Sequence, residues 1–298
     1  MRKNTENITS RQYQILADHM DIYQFMIEIY ERDWRNGVPA PFLEYALSSD
    51  WMDLSYTHRN KIWLDGGKIV GFVFTEKPVT DIYFSLRPGY EELAADMVLH
   101  ADKYMPGCDG ERQLVIFQGQ DAIMKAAQEL GYSKTGEHID LQIDFDKPLD
   151  YRLPEGFRIV PQGEQDIRRA AECCWKGFER EAKEGPWNGN AEGGYQLSQA
   201  PHATMEYNVA VENEAGDYVC WAGMWWTPEN HLAYMEPLCT LPEYRRRGIA
   251  AAALSEMYRR MKPLGATHMT GGNNSFYVGI GYKPAVKWTF WKKVQPAG

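Results

Sequence analysis

The chain runs through the same order of elements twice, at an offset of about 150 residues, and this repeat constrains its fold more than any other feature. In the first pass, Lys61-Ile62-Trp63-Leu64 and Ile69-Val70-Gly71-Phe72-Val73-Phe74 flank the turn Asp65-Gly66-Gly67-Lys68, a hairpin pattern. A strand over 81–86 then ends at Arg87-Pro88-Gly89. A helix over 91–104, a strand over 114–117, a helix over 121–130 stopped by Gly131, and a strand over 137–145 complete the pass. Upstream, Leu16, Met20, Tyr23, Ile27, Tyr30 and Trp34 alternate spacings of four and three, which predicts one helix over 12–35.

The polar segment 146–156 carries two prolines and reads as a linker. After it come a strand over 157–161, a helix over 165–182 and a Gly-rich stretch over 185–194. Strands over 207–211 and 219–226 form the second hairpin, and a strand over 231–240 ends at Leu241-Pro242-Glu243. A helix over 248–261, a strand over 267–270, a short helix over 274–279, the pair Gly281-Tyr282 and a strand to about Val294 close the pass. The expected class is α+β: two tandem domains, 1–147 and 148–298, each a mixed, mostly antiparallel sheet flanked by helices.

With 298 residues, 44% of them apolar, the chain can bury two cores. Lys and Arg number 32 against 41 Asp and Glu, a net charge of −9, which argues against binding nucleic acid or an anionic membrane surface. An acidic surface suits an amine-bearing small molecule, and it equally serves solubility. No apolar run approaches a membrane span, and the N-terminus lacks the apolar stretch of a signal peptide. The five cysteines show no C-x-x-C spacing and the seven histidines no H-x-x-x-H pair. Reduced thiols, a cytoplasmic location and no metal site are expected.

The segment from Glu236 through Pro242 to Ala250 carries the chemistry. It runs from a strand through a basic turn, Arg245-Arg246-Arg247, and through Gly248 into a helix with Ala250, Leu254, Met257 and Met261 on one face. The first turn of a helix offers unpaired N–H groups and the positive end of the macrodipole, and glycine lets a ligand come close. Such a sequence describes a pyrophosphate cradle.

Here the chain resembles the GNAT superfamily of N-acetyltransferases, whose acyl-CoA motif Q/R-x-x-G-x-G/A is matched by Arg245-x-x-Gly248-x-Ala250. Asn274-Ser275-Phe276-Tyr277-Val278-Gly279-Ile280-Gly281-Tyr282 resembles a second family segment. The resemblance is close over 209–282, weaker over 157–208 and remote before that. It implies acetyl-CoA as cosubstrate, held by the backbone of Leu238, Cys239 and Thr240 along its pantetheine arm. The cradle would comprise Arg245, Arg246, Arg247, Gly248, Ile249, Ala250 and Ala251, with Asn274 approaching from the other strand's side. It also implies direct attack of an amine on the thioester, Glu236 as base and Tyr277 as proton donor to the leaving thiolate. Other readings stand beside these: Glu236 as a structural carboxylate, Tyr277 as a core tyrosine, Asn274 as a helix cap, and Cys239 as a small buried thiol.

At the equivalent of the cradle the first half reads Arg87-Pro88-Gly89-Tyr90-Glu91-Glu92, with acids where phosphates would sit. It is expected to be a degenerate GNAT-like domain that binds no CoA. In the family, the position of 175–195 builds the acceptor site, which implies Trp175, Glu179 and Trp187 as substrate-binding residues, and Trp225 lies on a strand that could reach the same pocket. A surface loop with aromatic packing is the plainer reading. The leading expectation is acetyl transfer to a small-molecule primary amine. Transfer to a protein or peptide amine, and a CoA-binding regulatory module without transfer activity, are the alternatives.

Overall fold

A computed structural model describes residues 7–76, 81–107 and 111–293. Within those ranges the chain divides into two compact units, one of residues 7–47, 51–140 and 284–293, the other of 48–50 and 141–283.

In the first unit, β1 (Ile8–Gln12), β2 (Lys61–Asp65), β3 (Lys68–Thr75) and β4 (Asp81–Leu86) form an antiparallel meander. Next, β4 pairs in parallel with β5 (Gln113–Phe117), and β5 pairs antiparallel with residues 288–291 of β12 (Lys283–Lys293). Helices α3 (Ala94–Tyr104) and α4 (Asp121–Glu129) cover one face around Met97, Ile116, Ile123 and Trp291.

The second unit repeats this plan. Strands β7 (Phe157–Ile159), β8 (Val209–Asn213), β9 (Tyr218–Thr227) and β10 (Leu232–Thr240) are antiparallel, and β10 runs parallel to β11 (His268–Thr270). The next neighbour is the end of β6 (Tyr132–Asp144), antiparallel at 142–144. Helix α8 (Ile249–Met261) packs on one face with Met235, Met257 and Met269, and α5 (Ile167–Gly177) on the other with Cys173, Trp221 and Cys239. Each unit thus closes its sheet with a strand from the other half of the sequence. The expected boundary at 147/148 lies just past β6, inside the second unit; the units divide within β6, and the first takes most of β12.

The segment 146–156 has no helix or strand, as expected of a linker, but it is fastened: Leu149 is buried in the core of the second unit, and the Tyr151 N–H donates to Ser255 Oγ at 2.9 Å. The upstream helix departs from the sequence reading. It is α1 (Ile15–Ile29), and Leu16 and Met20 are 98% and 54% exposed. Tyr23 and Ile27 of the expected stripe are buried, and the buried face also takes in Asp18, Ile22, Phe25, Met26 and Ile29. Asp18 can be buried because Arg11 donates to both its carboxylate oxygens, at 2.6 and 2.7 Å. Strand β1 and helix α2 (Ala40–Leu47) were not expected: β1 is polar and mostly exposed, and α2 carries a proline in its first turn.

The helix expected over 165–182 stops at Gly177 and resumes as α6 (Glu181–Glu184), with α7 (Glu192–Ser198) beyond it. Asp166 caps the start of α5 by accepting from the Arg169 N–H at 2.9 Å. At the other end, a Cβ on Gly177 would lie 2.9 Å from Cys239 Cβ and Sγ, so the glycine brings α5 down onto β10.

Candidate active site

The site is built where β10 and β11 part. Their parallel pairing covers only Leu232 with His268 and Ala233 with Met269, while β10 continues to Thr240 on its β9 side. The ladder with β9 is interrupted between Met235 and Leu238 by an irregularity that holds Glu236 and a cis Glu236–Pro237 bond. Gly223 makes room for it: a Cβ there would lie 2.2 Å from the Glu236 carbonyl oxygen. Across the gap, the Met235 N–H donates to Thr270 Oγ1 at 2.8 Å. Glu236 and Leu238 are half-buried, Cys239 is buried, and the half-buried Thr240 donates to Cys220 Sγ at 3.4 Å.

After Thr240 the chain turns through Arg246, at φ 62°, and Gly248, at φ 82°, into α8. Gly248 occupies the N-cap position and offers no side chain to the helix end. Among the described residues no acceptor is found for the backbone N–H groups of Arg246 to Ala251; the first to bond is Ala252, to the Gly248 carbonyl at 3.0 Å. Ile249 and Ala251 are buried, while Arg246, Arg247 and Gly248 are exposed. The row of donors therefore ends at an open, basic, positively polarised turn.

The three arginines differ. Arg245 folds back: its Nε donates to the Thr240 carbonyl at 3.1 Å, one terminal nitrogen to the Gly177 carbonyl at 2.8 Å, and the other to Glu179 at 2.9 Å. It ties the turn to the end of α5, where Glu179 holds a left-handed φ of 55°. Arg247 lies over the Tyr244 ring, 5.3 Å from its centroid.

Tyr277 is buried on α9 (Ser275–Gly279), with its ring centroid 5.1 Å from that of Tyr282. Both rings lie over the backbone that follows β11. A Cβ on Gly271 would meet Tyr282 at 2.6 Å and Tyr277 at 2.8 Å, and one on Gly272 would meet Tyr277 at 3.0 Å. Asn274 caps α9 through its side-chain oxygen, which accepts from the Phe276 N–H at 3.0 Å.

Of the expected acceptor residues, Trp175 and Trp187 meet, with ring centroids 5.8 Å apart. The Trp175 indole donates to the Gly185 carbonyl at 3.1 Å, and Arg180 covers the ring at 4.4 Å. Glu179 is engaged by Arg245, and Trp225 is buried on β9 opposite Tyr234. Sequence reasoning missed Gly177, Gly223 and Thr270, because close approaches and cross-strand side-chain bonds leave no local signal.

The corresponding places in the first unit are filled by its own side chains. There β4 and β5 pair only at Asp81 with Gln113 and Ile82 with Leu114. Beyond, the buried Gln120 amide spans the gap, donating to the Phe84 carbonyl at 2.8 Å and accepting from the Phe117 N–H at 3.0 Å. The Leu86 N–H donates to the Asn36 carbonyl at 2.8 Å, and at the turn the Gly89 N–H donates to the Glu91 carboxylate at 2.8 Å.

Comparison with known proteins agrees with this geometry. Residues 165–275 match the model of the acetyltransferase (GNAT) family. A GCN5-related N-acetyltransferase from Sphaerobacter thermophilus superposes with a TM-score of 0.61 at 16% identity, over 97% of this chain and 96% of that one. A GNAT-family acetyltransferase from Colwellia psychrerythraea gives 0.58 at 9% identity, over 97% and 99%. A tandem GNAT protein from the clavulanic acid biosynthesis pathway gives 0.57 at 12% identity, over 98% and 100%. A search of curated proteins by sequence finds no match. The chain has the tandem GNAT fold. Residues 165–275 are the segment of it that matches the acetyltransferase (GNAT) family. Among the described residues no helix is long and apolar enough to cross a membrane.

Proposed function

We propose that the second unit transfers an acetyl group from acetyl-CoA to the primary amine of a small molecule, and that the first unit binds no CoA. The observation that carries this reading is the run of unbonded N–H groups from Arg246 to Ala251 beside the parting of β10 and β11. The N–H groups of a helix's first turn have no intrahelical partner and carry the positive end of its dipole, so this open, basic end of α8 fits an anionic group. In the parted strands, the backbone of Leu238, Cys239 and Thr240 is the natural partner for the amides of the pantetheine arm.

When bound, acetyl-CoA supplies an acetyl group activated as a thioester. The rest falls to this chain's own residues. Glu236, on the irregularity of β10, takes the proton that an ammonium must lose before it can attack. Tyr277, on α9, gives a proton to the departing sulfur, since a thiol leaves better than a thiolate. Arg245 holds the turn in shape. Trp175 and Trp187 form an aromatic wall suited to the apolar part of an acceptor, with Arg180 already over one ring.

In the first unit, Gln120 fills the gap between strands and Glu91 takes a turn N–H that a phosphate would need. That is the support for a single acetyl-CoA per chain. The function is tested by thiol release from acetyl-CoA with amino acids, polyamines, aminoglycosides and short peptides as acceptors. Release that depends on one class of small amine is expected. Release only with peptides would overturn the acceptor assignment.

A further inference from the structure

Four cysteines lie among the described residues, and three of them meet where α5 lies against β10. Cys239 Sγ is 4.0 Å from Cys173 Sγ and 3.9 Å from Cys174 Sγ. Two sulfurs on neighbouring positions of one helix thus converge on a single sulfur of the strand. Gly177, one turn further along α5, fixes this approach by letting the helix touch Cys239. The acetyl-transfer reading gives these side chains no task.

We propose that Cys239, Cys173 and Cys174 form a thiol-modification site, in which Cys239 takes one of the two α5 sulfurs into a reversible disulfide when the protein meets a hydroperoxide. One residue of the cluster borders open space, although Cys173 and Cys239 are themselves buried. Cys173 borders a groove of about 540 Å³, walled by α5, by Asn213 and Asp217 of the β8–β9 turn, and by Leu241 to Tyr244. Cys174 is only half-buried.

The sulfurs are also unequal. Cys239 is the one in contact with both others: its thiol is placed to donate to Cys174 Sγ at 3.9 Å and to the Cys173 carbonyl at 3.7 Å, and Cys173 Sγ lies 4.0 Å away. As the sulfur common to both contacts, Cys239 is assigned the attack on the oxidant, with either α5 sulfur in place to follow. Cys220, pushed up to about 12 by burial, stays a thiol.

The chemistry balances with hydrogen peroxide as oxidant. The Cys239 thiolate attacks one peroxide oxygen; the S–O bond forms as the O–O bond breaks, and the departing hydroxide takes up the proton Cys239 released. The α5 sulfur then loses its proton and attacks the sulfenic sulfur. The S–S bond forms, the S–O bond breaks, and hydroxide leaves as water with that proton. The two sulfurs give up two electrons and the peroxide takes them. The product fastens α5, which carries Trp175, to β10, which carries Glu236.

This inference goes beyond acetyl transfer, and its test needs no acetyl-CoA. The full chain is treated with hydrogen peroxide, denatured, and its free thiols counted and mapped by peptide mass. Two of the five thiols are expected to disappear and to return with dithiothreitol. They are expected to appear as one linked pair, two hydrogens lighter, joining the peptide of Cys239 to that of Cys173 and Cys174. Cys239→Ser is expected to keep all four of its remaining thiols. The double variant Cys173→Ala, Cys174→Ala leaves β10 untouched and is expected to keep all three. Five surviving thiols in the native chain, or a linked pair that omits Cys239, would overturn the proposal.

Discussion

Asn60 and Asn208 do the same work in the two units. The side-chain oxygen of Asn60 accepts from the Thr75 N–H at 3.2 Å, and that of Asn208 accepts from the Met224 N–H at 2.7 Å. Each asparagine follows a short turn, with its own N–H bonded to the carbonyl three residues back, Thr57 or Met205. The duplication thus extends to buried side-chain bonds. The two units differ at these places: the second leaves its helix-end donors open, while in the first Gln120 spans the strand gap and Glu91 accepts from the Gly89 N–H.

Tyr277→Phe removes a hydroxyl and keeps the ring between Gly271, Gly272 and Tyr282. Turnover is expected to fall by about 10²-fold, the lower end for a lost general acid, with acetyl-CoA affinity unchanged. Steady-state kinetics separates the two. Unchanged turnover would leave Tyr277 a packing residue.

Arg245→Ala removes three hydrogen bonds that hold the turn to Thr240, Gly177 and Glu179. Acetyl-CoA affinity is expected to weaken by about tenfold, equivalent to ~1.4 kcal/mol. Glu179→Ala breaks only the ion pair, whose partners are 42% and 59% exposed. Its effect on stability is expected to stay under about 1 kcal/mol. Calorimetric titration and chemical unfolding measure the two effects.

Gln120→Ala leaves the Phe84 carbonyl and the Phe117 N–H without their partner inside the first unit. A loss of about 1–3 kcal/mol is expected for each group left unpaired. Urea unfolding measures it, and a variant as stable as the parent would remove Gln120 from its bridging role.

Glu212 on β8 is buried with Arg169, at 2.8 Å, and Arg158 as partners. Burial pushes its carboxyl up, but the two guanidinium groups outweigh this and hold it below its ordinary 4.5. A carboxylate lowered by folding stabilises the fold above its unfolded value, and that contribution is lost as pH falls through the lowered one. Stability is therefore expected to drop below about pH 4. Unfolding midpoints from neutral to acid pH check this, and Glu212→Gln is expected to show a shallower acid dependence.

Local patterns were legible in the sequence. The basic turn and helix start from Arg245 to Ala251 are one local pattern, and the cap at Asn274 is a matter of two residues. What failed was non-local. Tyr23 and Ile27 placed part of the buried face of α1, but Asp18 hid the rest, because its burial depends on Arg11 from β1. Glu91 was legible as an acid at the turn after β4; Gln120 was not legible as a bridge, because its role exists only once β4 and β5 part. The exchange of β6 and β12 between units left no local mark, since a strand's own pattern does not name its neighbour.

The most direct test is the number of acetyl-CoA molecules bound per chain, by calorimetric titration of the native protein and of Gly248→Val. The valine side chain would stand in the turn at a φ of 82°, a conformation that branched residues resist. One molecule per chain, lost in the variant, is expected. Two per chain, or unchanged binding in the variant, would contradict a single cradle at the start of α8.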